Sequence, residues 1–336
     1  MTDPVSGAEA AQADQQSPRS WHYRAVIWSV LLAALAYLVL ALWGGRAGVA
    51  SAVRDVGAVG VAVALGLSLV NYALRFARWH LYLGAMGKRV PVRQSLLIYV
   101  AGFALTTTPA KAGEMLRGVL LKPHGVSYVS SLAAMLSERM SDVLAIVILS
   151  MLGLTLLPGT GLLLGIGVCV FAGAYAFICS QWLARRMQTR GQGQGKVANI
   201  MMRLVETLAH ARQCNTPGVL VAASSLSLVA WAAEAFAFHL VLHWMGADIG
   251  VLPAASIYAI SMLAGAASFM PGGLGGAEAA MIALLKVAGV DTQQAISATL
   301  IIRLATLWFA VGLGFVALAI LAREPPAKSG ASVRSQ

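Results

Sequence analysis

Charge is what this chain has least of. Only 11% of its 336 residues are Asp, Glu, Lys or Arg, where a soluble domain carries about 25%. So few charges cannot cover a water-facing surface, which excludes a soluble globular fold. Cysteine is nearly absent: Cys169, Cys179 and Cys214 are the whole set. They make neither a disulfide framework nor a metal-ligand spacing, so they read as reduced bystanders. The chain also lacks a nucleotide loop, because no strand precedes the glycine-rich run at 272–276. No nucleophile stands beside a base. The chain is therefore expected not to be an enzyme and to need no metal or cofactor.

What it has is apolar: 59% of the residues are hydrophobic. The apolar runs fall at about 25–43, 56–74, 94–110, 128–157, 161–180, 217–243, 252–270 and 293–321. About 20 apolar residues span a bilayer as a helix, and helices satisfy their own backbone groups there. The class is an all-α polytopic membrane protein of the cell (inner or plasma) membrane. Residues 1–20 are polar and read as a disordered cytoplasmic N-terminus, 21–322 as the transmembrane domain and 323–336 as a cytoplasmic tail.

The net charge is +11. Its bases sit between spans, so they speak for orientation and anionic headgroups, not for nucleic acid. Three segments are basic: Arg75 to Arg93, Arg185 to Arg212, and the tail from Arg323. The positive-inside rule puts all three, and both termini, in the cytoplasm. Parity then constrains the spans. If 94–122 crossed once, the first two basic loops would face opposite sides. If it enters and returns, both stay cytoplasmic. Pro109 breaks the helix, and 112–122 is too short to span. The same reasoning makes 252–288 re-entrant from outside, around Pro271, Gly272, Gly273, Gly275 and Gly276. The expected count is about six full spans plus two re-entrant hairpins. Segment 181–216 reads as a cytoplasmic amphipathic helix with a stripe of Val197, Met201, Leu204 and Leu208.

The two hairpin regions resemble each other. Placing 114–143 over 278–307 without a gap gives nine identities. They include Glu114/Glu278, Lys122/Lys286, Gly125/Gly289 and Arg139/Arg303, so a Glu and an Arg 25 positions apart occur in both halves. With motifs at 94–143 and 252–307, and entry from opposite sides, this predicts an inverted repeat of the kind many transporters use.

Ionisable residues inside a membrane are costly, about 2.5–3.5 kcal/mol or more near the centre, and are candidates for function. Glu114 and Glu278 each open a short half-helix, whose N-terminus favours negative charge. Two readings stand side by side: a cap paired with Arg139 or Arg303, and a gate or headgroup-binding residue. Arg117 is one turn from Glu114. Lys111 lies beside the break, along with Gly113, where a phosphate headgroup or mere snorkelling would both suit it. Glu138 and Asp142 flank Arg139 on one helix. A structural ion-pair network and a proton relay are the alternatives there. Arg75 and Arg78 end a span and read as interfacial anchors. Glu234 sits mid-span and must face protein or a cavity.

Several of these residues also carry a family resemblance. They are Pro109-Ala110-Lys111-Ala112-Gly113-Glu114-Met115-Leu116-Arg117, Ser137-Glu138-Arg139-Met140-Ser141-Asp142, Pro271-Gly272-Gly273-Leu274-Gly275-Gly276-Ala277-Glu278 and Arg303, with Arg78-Trp79 upstream. In order and spacing the chain resembles the flippase-like family built on the transmembrane region of lysylphosphatidylglycerol synthases, over roughly 25–321. Ala110 stands where that family often has glycine. The resemblance implies a domain that moves an anionic or modified lipid between leaflets. The synthases' C-terminal aminoacyl-transfer domain has no counterpart in the sequence, so lysyl transfer is not expected. Membrane lipids, anionic ones foremost, are the expected partners. An ion-coupled carrier of small solutes is one competing reading. A non-transporting partner of a lipid-modifying enzyme or glycosyltransferase is another.

Overall fold

The computed structural model describes residues 46–108, 112–152, 161–180, 196–268 and 270–323, with the side chains of Glu114 and Pro271 outside that description. The first apolar run at 25–43 and the terminal segments also lie outside it. The described residues are helical throughout, with no strand among them.

Among the described residues, three helices are long and apolar enough to cross a membrane. Helix α1 (Arg46–Ala85) kinks at Gly57, whose φ of 66° breaks the helical run. Its apolar stretch runs from Ser51 to Ala85 and holds Arg75 and Arg78 in its second half. Five elements follow before the second long helix. They are α2 (Val92–Ala101), α3 (Ala112–Leu121), α4 (Tyr128–Met151), α5 (Gly161–Cys179) and α6 (Lys196–Cys214). Helix α7 (Pro217–Trp244) is the second long helix, and it packs along α1 over most of its length. After α8 (Val251–Ala267) and α9 (Gly276–Val287), the third is formed by α10 (Thr292–Arg303) running through a π-helical turn, Leu304–Trp308, into α11 (Phe309–Arg323). Helix α4 has spanning length at about 1.5 Å per residue, but it carries Glu138, Arg139 and Asp142 at its middle.

Two helical hairpins fill the space between these rods. In the first, α2 tightens into a 3₁₀ turn at Gly102–Leu105, and α3 turns back against it. The helix therefore loosens before Pro109, which with Ala110 and Lys111 lies outside the described residues. The crossing needs glycine: a Cβ on Gly113 would overlap the Gly102 carbonyl. At the hairpin's open end His124 and Gln94 are hydrogen-bonded at 2.7 Å. In the second, α8 ends at Ala267 and α9 returns through the turn Pro271–Gly273. Here a Cβ on Gly265 would stand 2.8 Å from that of Ala277. The tips meet, since Gly272 lies against Thr106 and Thr107.

The exits from the two hairpins are built alike. Gly125 and Gly289 both take positive φ, 75° and 88°. Val126 N donates to Leu121 O at 3.4 Å, and Val290 N donates to Leu285 O at 3.0 Å, the same six-residue closure of a helix end. Ser127 then caps α4 and Asp291 caps α10. The matched glycines of the two segments thus do the same conformational work.

The core divides accordingly. One apolar cluster joins Met86, Val90, Leu121, Val126, Leu208 and Cys214 around the first hairpin. Another joins Ala52, Val56, Ala247, Ile249, Val290 and Ala295 around the second. Helix α6 is amphipathic, and its buried face only partly follows the expected stripe: Leu208 is buried and Met201 half-buried, whereas Leu204 is 43% exposed and the side chain of Val197 lies outside the described residues. Ala198, Ala211 and Cys214 are buried beside Leu208. Small residues let α6 lie closely on α4, which turns Leu204 outward.

Candidate functional site

The buried charges of the first half gather where α1, α3, α4 and α7 meet. Helix α1 places Arg75, Arg78 and Tyr82 one turn apart on the face towards α4. Arg78 is fully buried. Its Nη1 donates to Asp142 Oδ1 at 2.5 Å and to the Ser227 hydroxyl, and its Nη2 lies 3.3 Å from Glu138 Oε1. The expectation that it anchors the span at the interface is thereby corrected. Arg117, from α3, holds the other oxygen of Glu138 at 3.2 Å. Its guanidinium lies 4.0 Å from the centre of the Tyr99 ring, with Trp79 and Phe103 near by, a cation–π arrangement.

Asp142 gathers the rest. Arg139 stands 3.6 Å from it and Arg75 3.8 Å, and Trp231 of α7 donates its indole N–H at 3.0 Å. Tyr82 donates to Ser137 O and meets the Ser141 hydroxyl, each at 3.1 Å. Among the described side chains, the guanidinium groups of Arg75, Arg78, Arg117 and Arg139 thus meet the carboxylates of Glu138 and Asp142. Several donors have no acceptor among the described residues: Arg75 Nε, Arg78 Nε, Arg117 Nε and the Tyr99 hydroxyl. Asp142 Oδ2 likewise has no hydrogen-bond donor there, so the cluster holds both donors and an acceptor that are unmet, which is uncommon for buried polar groups. The side chain of Arg139 is 37% exposed and is the one of the four that opens outward. Lys111 and the side chain of Glu114 lie outside the described residues. Gly113 is at the helix crossing.

The second half holds one compact pair. Glu278 Oε1 accepts from Arg303 Nε at 2.6 Å, and its Oε2 accepts from Gly275 N at 2.6 Å. Arg303 also donates to Gly272 O at 3.0 Å. The carboxylate thus caps α9 while the guanidinium holds the turn before it, so both ends of the break are fixed by one ion pair. Positive φ at Gly272, Gly273 and Gly275 makes that turn possible. Gly276 packs on Ser268, where a Cβ would stand 2.7 Å away. Pro271 opens the turn.

Between the two groups lies a carboxylate with little company. Glu234, 5% exposed, accepts one hydrogen bond, from the Tyr258 hydroxyl at 2.7 Å. The Tyr258 ring neighbours Trp231, which bonds Asp142. Expected site residues thus fall into two clusters: Arg117, Glu138, Arg139 and Asp142 in one, Glu278 and Arg303 in the other. The sequence reading passed over Tyr99, Ser227, Trp231 and Tyr258. It took Arg75 and Arg78 as interfacial anchors, with Arg78-Trp79 also among the family motifs. The signal for Arg78 was its spacing, since Arg75, Arg78 and Tyr82 line one helical face.

Comparison with known proteins agrees with the motifs. The family model described as the lysylphosphatidylglycerol synthase TM region matches residues 26–314. Two proteins of Methanothermobacter thermautotrophicus, each called a UPF0104 membrane protein, are similar along nearly their whole lengths. One is 24% identical over 88% of this chain and 95% of its own length. The other is 26% identical over 85% of this chain and 90% of its own. With its apolar helices and a match covering most of its length, the chain belongs to the lysylphosphatidylglycerol synthase transmembrane-region family and is a membrane protein.

Proposed function

We propose that this domain moves an anionic or modified phospholipid, or a lipid-linked precursor, between leaflets of the inner or plasma membrane. In this reading about six helices cross, both termini are cytoplasmic, and the α2–α3 and α8–α9 hairpins enter from opposite sides as an inverted pair. The observation that carries it is a set of buried arginine donors beside the first hairpin. The Nε–H groups of Arg75, Arg78 and Arg117 have no acceptor there among the described residues. A phosphodiester supplies acceptors and negative charge to such groups. Arg139, partly exposed, meets the headgroup first, and Arg75, Arg78 and Arg117 receive it deeper in. Lys111 and Glu114, next to the break in the sequence, are further candidates for headgroup contact in this reading. Glu278 and Arg303 hold the opposite hairpin, whose tip touches the first at Gly272 and Thr107. A shift of one tip is thus felt by the other.

The test is lipid movement in vesicles containing the purified protein. Labelled phosphatidylglycerol should cross faster than labelled phosphatidylcholine. Arg139→Gln, a change at a partly exposed position, should slow the anionic lipid while the protein stays folded. Equal rates for all headgroups across a broad panel, or no movement at all, would overturn the reading.

A further inference from the structure

We infer that Glu234 is a proton-carrying group that couples lipid movement to a proton gradient, an inference that rests on the transport reading above. Glu234 lies in the middle of α7, a helix of spanning length. The other described carboxylates buried in the interior, Glu138, Asp142 and Glu278, each have an arginine partner. Glu234 has no ion pair among the described residues and takes a single hydrogen bond from Tyr258. An ionised carboxylate buried without a counter-ion is costly, whereas its protonated form is tolerated with one or two hydrogen bonds. The residue therefore has two states whose balance answers to proton supply.

Its surroundings connect that balance to both charge clusters. Tyr258 of α8 bonds it, and Tyr72 and Arg75 of α1, Asp142 of α4 and Arg303 of α10 lie within electrostatic reach of it. Arg75 belongs to the first cluster and Arg303 locks the turn of the second hairpin. Losing the proton from Glu234 places a negative charge near both arginines, where it competes with Asp142 and Glu278. Protonation returns Arg75 and Arg303 to those partners. Asn71, fully buried on α1, donates to Ala230 O one turn before Glu234. Its Oδ1 has no donor among the described residues. The step is a proton transfer only: the carboxylate takes a proton from one side and releases it to the other.

The experiment has two arms, and they fail separately. In the first, vesicles holding the full chain and labelled phosphatidylglycerol are given a pH gradient, with the membrane potential clamped by potassium and valinomycin. Coupling drives the lipid to unequal leaflets, up to ~100-fold for one proton per lipid at a gradient of ~2 pH units, by the tenfold-per-unit relation. Glu234→Gln should leave the leaflets equal under the same gradient. Equal leaflets with the wild type, or retained asymmetry in Glu234→Gln, overturns the inference. In the second arm no lipid movement is needed. Trp231 emission, isolated by subtracting Trp231→Phe, should step as pH is varied, and the step should vanish in Glu234→Gln. A step that survives in Glu234→Gln, or none in the wild type, overturns the proton site. A Glu234-dependent step without lipid movement under any condition overturns the transport reading and with it the coupling.

Discussion

Asp142 answers to three arginines: Arg78 at 2.5 Å, Arg139 at 3.6 Å and Arg75 at 3.8 Å. Removing one partner of a buried ion pair strands the other, at about 3–5 kcal/mol. Asp142→Asn should therefore lower the unfolding midpoint in detergent sharply, because the amide fills the same space without the charge. Arg78→Met combined with Asp142→Leu should recover much of that loss, since a well-packed apolar pair suits the interior as well. Recovered stability without recovered lipid movement would separate binding from packing, and circular dichroism melts of the two variants measure the first half of it. Cys214 offers a second check at this scale. Burial pushes its thiol up to about 12, opposed by a hydrogen bond with Ser137. In a Cys169→Ser, Cys179→Ser background, maleimide should leave Cys214 unmodified at pH 7.5 until the protein is denatured. The thiolate is the reactive form. Prompt modification would contradict its burial against α1. At this scale the sequence spoke clearly wherever charge was rare and spacing repeated, as with Glu278 and Arg303. It misled at Arg78, because an arginine ending an apolar run looks the same whether it reaches for water or for Asp142.

At the scale of elements, the hairpins depend on glycine at their crossings. A Cβ on Gly113 would overlap the carbonyl of Gly102, and one on Gly265 would stand 2.8 Å from the Cβ of Ala277. Overpacking of that kind costs typically about 1–3 kcal/mol. Gly66, in α1, has open space around it, and alanine there should be neutral or mildly stabilising through helix propensity. Thermal unfolding of Gly113→Ala, Gly265→Ala and Gly66→Ala in detergent measures the contrast. Equal midpoints would mean that the helices do not approach as closely as described. The breaks in the helices were legible in the sequence through the glycine-rich turn and the short half-helices, and Gly125 and Gly289 through their alignment. The face of α6 was not. A hydrophobic stripe weighs large side chains, whereas this helix packs through Ala198, Ala211 and Cys214, and smallness leaves little mark in an apolar sequence.

For the whole molecule the open question is sidedness, and the packing suggests how to ask it. His124 at the exit of the first hairpin bonds Gln94 at its entrance, so both belong to one end of the protein. Gln294, just past the exit of the second hairpin, bonds Met245 O beyond the end of α7. Ser51 and Asp55, near the start of α1, line a cleft of about 350 Å³ with Met245 and Asp291. Helix α1 then runs from that second end to Met86 and Val90, which pack with Leu121 and Val126 at the first. Charge parity assigns the first end, with Arg89 and Arg93, to the cytoplasm. Single cysteines at exposed Arg89 and Lys122 should then react with an impermeant maleimide only when the cytoplasmic face is open. Cysteines at exposed Asp248 and Thr292 should react only from the other side. One hairpin whose exit labels from the side opposite its entrance would be a full crossing. That single result would remove both the inverted pairing and the opposed entry on which the transport reading stands. The expected pattern is two sites on each side, with each hairpin's entrance and exit labelled together.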